Sequence, residues 1–234
     1  MSLLRFLPES FKERVRARAG AFTDRARLAN LRRAGFAPRQ IIDAGAYLGH
    51  WATMAREIFP QAELLMIEPQ PALTARLTTL AGQLGRARLC PVAVGEKPGE
   101  VSFLLGESNS RIVDAPTNAP TVRVTVSTLE QLIVEHDFQD CSLLKLDLQG
   151  HELSALAGAG QWFGRIEAIL TEVSWLPIGN VPTLTAVMAR FGERGYLPYD
   201  VFGQNHRPLD GALWQSDFIF VRRDSALLGN LSWS

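Results

Sequence analysis

Two stretches of this chain hold polar residues at spacings suited to chemistry. The first is Ile42-Asp43-Ala44-Gly45-Ala46-Tyr47-Leu48-Gly49, with Glu68 following 19 residues beyond Gly49. The second is Lys145-Leu146-Asp147-Leu148-Gln149-Gly150-His151-Glu152, with Glu172 further on. A glycine-bearing turn lets a ligand approach the backbone closely, and a helix N-terminus presents free N–H groups. An acid at the end of the next strand, roughly 20 residues on, is placed to accept hydrogen bonds from ribose hydroxyls. Carboxylates and a histidine at the later turn supply proton acceptors.

The glycine pattern narrows the ligand. A dinucleotide turn has the form G-x-G-x-x-G and seats a pyrophosphate on the helix N-terminus. Here the form is Asp43-x-Gly45-x-x-x-Gly49, with no third glycine and an acid ahead of the turn. A carboxylate there would repel pyrophosphate and suit a ligand bearing an ammonium and a sulfonium. S-adenosylmethionine carries both.

The elements that must position these residues alternate strand and helix. Ile41-Ile42 reads as a strand, Leu48 to Phe59 as a helix stopped by Pro60, and Leu64 to Glu68 as a second strand. Ala72 to Leu84 reads as a helix with Gly85 as C-cap, and Arg88 to Val94 as a third strand. Apolar runs of this kind between helices predict an α/β fold, its parallel sheet covered on both faces. Residues 95–126 break the alternation. They read as a β excursion, with strands at Val101–Leu105 and Thr121–Val126 and a loop from Glu107 to Pro120. Ser127 and Glu130 suggest a capping box for the next helix. Leu143–Leu148 and Ile166–Val173 are further strands, and Pro182 to Gly195 a helix. Tyr196–Phe202 and Asp217–Val221 are joined by too short a connection for a crossover, so this pair should be antiparallel.

The glycine turn, Glu68-Pro69, Ala93-Val94-Gly95, Val124-x-x-x-Thr128-Leu129-Glu130, the Lys145-to-Glu152 run, Glu172-Val173 and Asp217-to-Val221 together resemble FkbM-type methyltransferases. The resemblance covers residues 38–224. It implies a class I methyltransferase Rossmann-like fold, its sheet of seven strands mostly parallel with the last inserted antiparallel. It also implies methyl transfer from S-adenosylmethionine to a hydroxyl of a sugar, polyketide or other small metabolite. By matching motifs, Asp43, Gly45 and Gly49 would shape the methionine end of the donor site, with Tyr47 of the same turn also donor-binding. Glu68 would hold the ribose, Ala93 and Val94 would lie near the adenine, and Asp147, Gln149 and Glu152 would face the reacting end.

An aliphatic hydroxyl benefits from a base as its bond to the methyl forms. Asp147, His151, Glu152 and Glu172 are the candidates, each with a structural alternative as a turn cap or surface group. Ser110 or Arg111 of the excursion loop would touch the donor's carboxylate or the acceptor, and Trp175, His206, Arg207 and Trp214 follow the last strands, where acceptor contacts arise. A divalent ion on Asp147, Glu152 and Glu172 is chemically reasonable, but no spacing demands it, so no metal is expected. An NAD-dependent oxidoreductase would need the missing glycine. A non-catalytic methyltransferase-like scaffold is the remaining alternative, and the intact turn with Glu68 argues against it.

The chain is 234 residues long, 47% hydrophobic, and balances 24 basic against 24 acidic residues. That suffices for one core and gives no reason to expect nucleic acid as a partner. Residues 1–37 form an arginine-rich helical extension, 38–224 the main domain and 225–234 a tail. The extension reads as a helix over 9–34 with Ser10 as cap, packed on the domain or on a second subunit, or lying on an anionic membrane surface. The start is too short and too soon interrupted for a signal peptide, and no apolar run spans a bilayer, so a cytoplasmic location is expected. Cys90 and Cys141 suggest neither a zinc site nor a disulfide.

Overall fold

A computed structural model describes residues 23–106, 110–113 and 120–229. Much of the expected N-terminal helix, including its Ser10 cap, therefore lies outside the described residues. The first element described is helix α1, Asp24–Arg33, capped by the Thr23 hydroxyl, which accepts from Ala26 N. It is followed by β1 (Gln40–Ala44), α2 (His50–Ile58), β2 (Glu63–Ile67), α3 (Pro71–Leu84) and β3 (Ala87–Cys90). Then come the short strands β4 (Ala93–Val94), β5 (Gly99–Leu104), β6 (Arg111–Val113) and β7 (Thr121–Ser127). The chain continues with α4 (Leu129–Glu135), β8 (Cys141–Leu146), α5 (Glu152–Ala157), β9 (Ala168–Ser174), α6 (Leu184–Glu193), β10 (Tyr196–His206) and β11 (Leu213–Arg222).

Seven strands form the main sheet in the order β10-β11-β9-β8-β1-β2-β3. All pairs are parallel except those of β11, which runs antiparallel to both β9 and β10. The sheet thus has the arrangement expected of a class I methyltransferase. Strand alternation divides the core into two layers. Ile42, Leu144, Ile169 and Phe220 pack with Leu129 and Leu132 of α4, Leu156 of α5 and Phe191 of α6. On the other face Ile41, Leu143, Leu170 and Ile219 pack with Leu28 and Leu31 of α1 and with Trp51 and Ala55 of α2. The described part of the arginine-rich helix is therefore built into this layer. Arg27 also pairs with Asp200 of β10 at 3.2 Å.

Three local expectations are corrected. The strand expected over Arg88–Val94 is two strands in different sheets. Pro91 has no N–H to donate to a ladder, and after it the chain leaves β2 for a second sheet. That second sheet, β4-β7-β5-β6, is the predicted excursion, and it also includes β6 inside the stretch expected to be loop. The capping box lies one residue later, at Thr128, whose hydroxyl accepts from Gln131 N at 3.1 Å while Gln131 Oε1 accepts from Thr128 N.

Both cysteines are buried free thiols, on β3 and β8, which are not neighbours. Burial pushes the Cys90 thiol to about 11 and Cys141 to about 12. No helix among the described residues is long and apolar enough to cross a membrane.

Candidate functional site

The carboxyl ends of β1, β2 and β8 meet the second sheet around one cleft. Its wall includes Gly45, Tyr47, Ile67, Glu68, Gln70, Val92, Ala93, Val94, Phe103, Ser110, Ile112, Asp147, Leu148, Gln149 and His151. It holds about 630 Å³ of atom-free space, counting its open mouth.

The glycine turn forms one wall because the chain there has no room for side chains. Gly45 has φ +83°, and a Cβ on it would stand 2.0 Å from the Asp147 carbonyl oxygen. The two backbones are in contact, and Asp147 N donates to Ala44 O at 3.1 Å. Tyr47 follows in the left-handed region at φ +45°. Gly49, at φ +80°, caps α2, and its own Cβ would meet Leu80 Cδ2 of α3.

Glu68 closes the floor, only 4% exposed. One carboxylate oxygen accepts from Tyr47 N at 2.8 Å and the other from Gln70 N at 3.0 Å. Burial raises its pKa, and these two N–H groups pull against that rise. A carboxylate oxygen accepts about two hydrogen bonds, so each keeps capacity for a ligand hydroxyl.

Beside the glycine turn Asp147 is about half exposed and accepts from Gln149 Nε2 at 2.9 Å. Gln149 (φ +52°) and Gly150 (φ +110°) bend the chain tightly, and a Cβ on Gly150 would clash with Asn180. His151 Nε2 lies 3.3 Å from the Ile112 carbonyl of the second sheet. A carbonyl only accepts, so that bond needs the proton on Nε2 and leaves Nδ1 as the basic atom of a neutral ring. Ser110 Oγ accepts from Gly106 N at 2.9 Å.

Gly45, Tyr47, Glu68, Ala93, Val94, Ser110, Asp147 and His151 are thus brought together around the cleft. Asp43, Gly49, Glu152 and Glu172 are not on its wall. Asp43 is fully buried and pairs with Lys145 Nζ at 3.1 Å, so its carboxylate faces an internal cation instead of a ligand's ammonium. Gly49 has its Cα turned toward Leu80. Glu152 is buried, and its carboxylate accepts from Leu148 N at 2.9 Å and from Gly150 N, which holds the turn. Burial pushes it up to about 7 against those bonds.

Glu172 sits on β9 one position beyond Thr171, the partner of Leu146, and so comes level with Asp147. Asp217 of β11 stands directly opposite it. Burial, then Asp147 and Glu152, raise Glu172 to about 7. Burial, then Asp24, Glu172 and Asp147, raise Asp217 to about 8. Among the described residues no three His, Cys, Asp or Glu side chains are grouped to hold a metal ion. The set Asp147, Glu152 and Glu172 therefore has no such geometry. Trp175 is exposed, with its indole N–H on Ser216 Oγ at 3.0 Å, and Trp175 N donates to Trp214 O at 2.7 Å. Arg207 pairs with Asp210 instead of the cleft.

Sequence reasoning missed Lys145 as a site residue, together with Ile67, Gln70, Val92, Phe103 and Ile112. Phe103 and Ile112 are partners across β5 and β6 and point a buried apolar face at the cleft. The alternation of Val101, Phe103 and Val122, Val124 was their one available signal.

Residues 43–198 match the Methyltransferase FkbM domain. The curated 2-O-methyltransferase NoeI of Sinorhizobium fredii is 26% identical over 152 residues, which are 57% of this chain and 63% of that protein. The chain thus spans less than two thirds of that relative. A solved FkbM methyltransferase from Methylobacillus flagellatus superposes with a TM-score of 0.51 at 17% identity, over 77% of this chain and 43% of the other. That likeness speaks to the fold. With the domain match covering most of the sheet and the whole cleft, this chain belongs to the FkbM methyltransferase domain family.

Proposed function

We propose that the cleft binds S-adenosylmethionine and that the protein transfers its methyl group to a hydroxyl of a small molecule. The observation that carries the reading is Glu68. It is a nearly buried carboxylate with spare acceptor capacity on both oxygens, beside a turn too tight for a side chain at Gly45. The residues fit such a donor. Glu68 would take the ribose hydroxyls, the apolar panel of Ile67, Val92, Val94, Phe103 and Ile112 a planar base, and Gly45, Tyr47 and Ser110 the opposite end. The relative's name, a 2-O-methyltransferase, supports oxygen as the accepting atom.

When bound, the sulfonium supplies an already activated methyl, so alignment of donor and acceptor accounts for much of the catalysis. The chain's part is to hold the reactants and to receive a proton. Asp147 is the half-exposed carboxylate on the cleft, and Glu172 is its neighbour on the next strand. Asp147, with Glu172 behind it, is assigned the role of base. A base must be ionised, so activity belongs to the alkaline side and is lost as pH falls through about 7, where Glu172 takes its proton. The experiment is a mass-spectrometric screen of sugar and polyketide hydroxyls for a one-methylene gain, with the active acceptor followed between about pH 5.5 and 9. Glu172→Gln should flatten the acid limb. A limb unmoved in that variant would leave Glu172 outside the chemistry, and no transfer to any hydroxyl would point to another acceptor atom or to a binding role.

A further inference from the structure

Lys145 is the residue of the Lys145-to-Glu152 run that the cleft chemistry has not used. It is not a wall residue, being only about 7% exposed, yet its ammonium touches both walls. Nζ donates to the Gly45 carbonyl at 2.7 Å and pairs with Asp43 Oδ1 at 3.1 Å and with Asp147 Oδ2 at 3.5 Å. An ammonium has three donors, and three oxygens from β1, the glycine turn and the end of β8 surround it.

The register explains this meeting. Asp43 of β1 lies opposite Lys145 of β8 in the parallel ladder, so both side chains leave the sheet on one face, at the strand ends where the cleft opens. The pair is asymmetric. Asp43 is sealed among the packed residues of β1 and α2, whereas Lys145 continues to the Gly45 carbonyl and the half-exposed Asp147. Burial alone would lower the ammonium's pKa, but Asp43 and Asp147 outweigh it and raise it, so the cation persists. Its charge is felt widely, drawing Asp24, Asp43, Glu68 and Asp217 back down. Lys145 therefore offsets a carboxylate-rich end of the sheet, and Asp43 sets how much of that cation is left over for the cleft.

Resting on the donor-cleft reading above, we infer that Asp43 and Lys145 act as a buried charge pair that sets the preference of the cleft for the cationic donor over the neutral S-adenosylhomocysteine product. The two ligands share their amino, carboxylate, ribose and adenine groups and differ by one methyl on sulfur and the positive charge it confers. Steric or packing damage moves both affinities together, while a change of one buried unit charge moves their ratio. Too strong a negative site would hold the donor at the cost of turnover, and too positive a site would hold the product. At an effective dielectric of about 20, a unit charge roughly 12 Å from the sulfur shifts that ratio by about tenfold.

The test is calorimetric titration of the full chain with S-adenosylmethionine and, separately, S-adenosylhomocysteine. Asp43→Asn removes one negative charge while Lys145 keeps the Gly45 carbonyl and Asp147, so this variant retains its internal contacts. Its donor-to-product affinity ratio should fall about tenfold. Lys145→Met removes the cation and should raise the ratio by a similar factor. The double variant removes both charges and should return the ratio to within about threefold of wild type.

Lys145→Met strands a buried carboxylate, and if it does not fold, the rise of about tenfold from Asp43→Asn to the double variant decides the matter. An unchanged ratio in Asp43→Asn, with both ligands still bound, overturns the inference and leaves the donor cleft standing. Wild-type protein that binds neither ligand overturns the donor cleft itself, and this inference with it.

Discussion

Replacing Glu68 by alanine is expected to weaken S-adenosylhomocysteine binding by about 1.5–3 kcal/mol, or roughly ten- to a hundredfold, the worth of hydrogen bonds to a charged acceptor. Glutamine should do little better. Each Glu68 oxygen already receives a backbone N–H, from Tyr47 on one side and Gln70 on the other. A glutamine must turn its NH₂ toward one of them, setting donor against donor at a site that is 4% exposed. The glycine turn and the start of α3 then lose their common anchor, so the whole floor of the cleft loosens. Calorimetry of the two variants, with a thermal melt beside each, separates lost ligand contact from lost fold. Wild-type affinity in both would take Glu68 out of the ribose role.

Gly45→Ala should have the largest effect on the cleft. The added Cβ would stand 2.0 Å from the Asp147 carbonyl oxygen and 2.9 Å from its carbon, and backbone cannot step aside as a side-chain tip can. The positive φ adds a cost of about 1–3 kcal/mol for any residue with a Cβ. The β1 turn and the end of β8 must separate, which pulls Gly45 and Asp147 apart and breaks the seat of Lys145. Ligand binding should be lost outright and the melting temperature lowered by several degrees.

Gly49→Ala is the control. It shares the positive φ, but its Cβ would meet Leu80 Cδ2, the end of a flexible side chain. It should melt earlier yet keep most of its affinity. Equal binding losses in the two variants would mean that the backbone crossing at Gly45 has no special part in the cleft.

What could be read from the sequence was whatever is local. The turn at Gly45 and Gly49, Glu68 at the end of β2, the helix stops at Pro60 and Gly85 and the antiparallel last pair follow from periodicity and turn chemistry within a few residues. What could not be read depends on which distant strands become neighbours. Asp43 looked like a ligand for an ammonium because it stands just ahead of the glycine turn, where a carboxylate would repel a pyrophosphate. Only the β1–β8 register brings Lys145, about a hundred positions later, to its side.

The same blindness hid Phe103 and Ile112. Ile112 lies in a stretch without periodicity and was taken for loop, and Phe103 was read as strand with no partner to show which way it faces. Glu152 and Glu172 were judged by residue type, and their roles turn on geometry. Glu152 spends its oxygens on Leu148 N and Gly150 N, and Glu172 stands behind Asp147 in a row that crosses three strands. The helix cap was misplaced by one residue because Ser127 and Thr128 can both cap. The sheet register, which spends Ser127 on the end of β7, decides between them.

The most direct measurement is a calorimetric titration of the wild-type chain with S-adenosylhomocysteine, with NAD as comparison. One-site binding with a Kd on the order of 1–100 μM and no heat from NAD is the expected result. Absence of S-adenosylhomocysteine binding, or tighter binding of NAD, would contradict a cleft built around Gly45 and Glu68 for an adenosyl sulfonium.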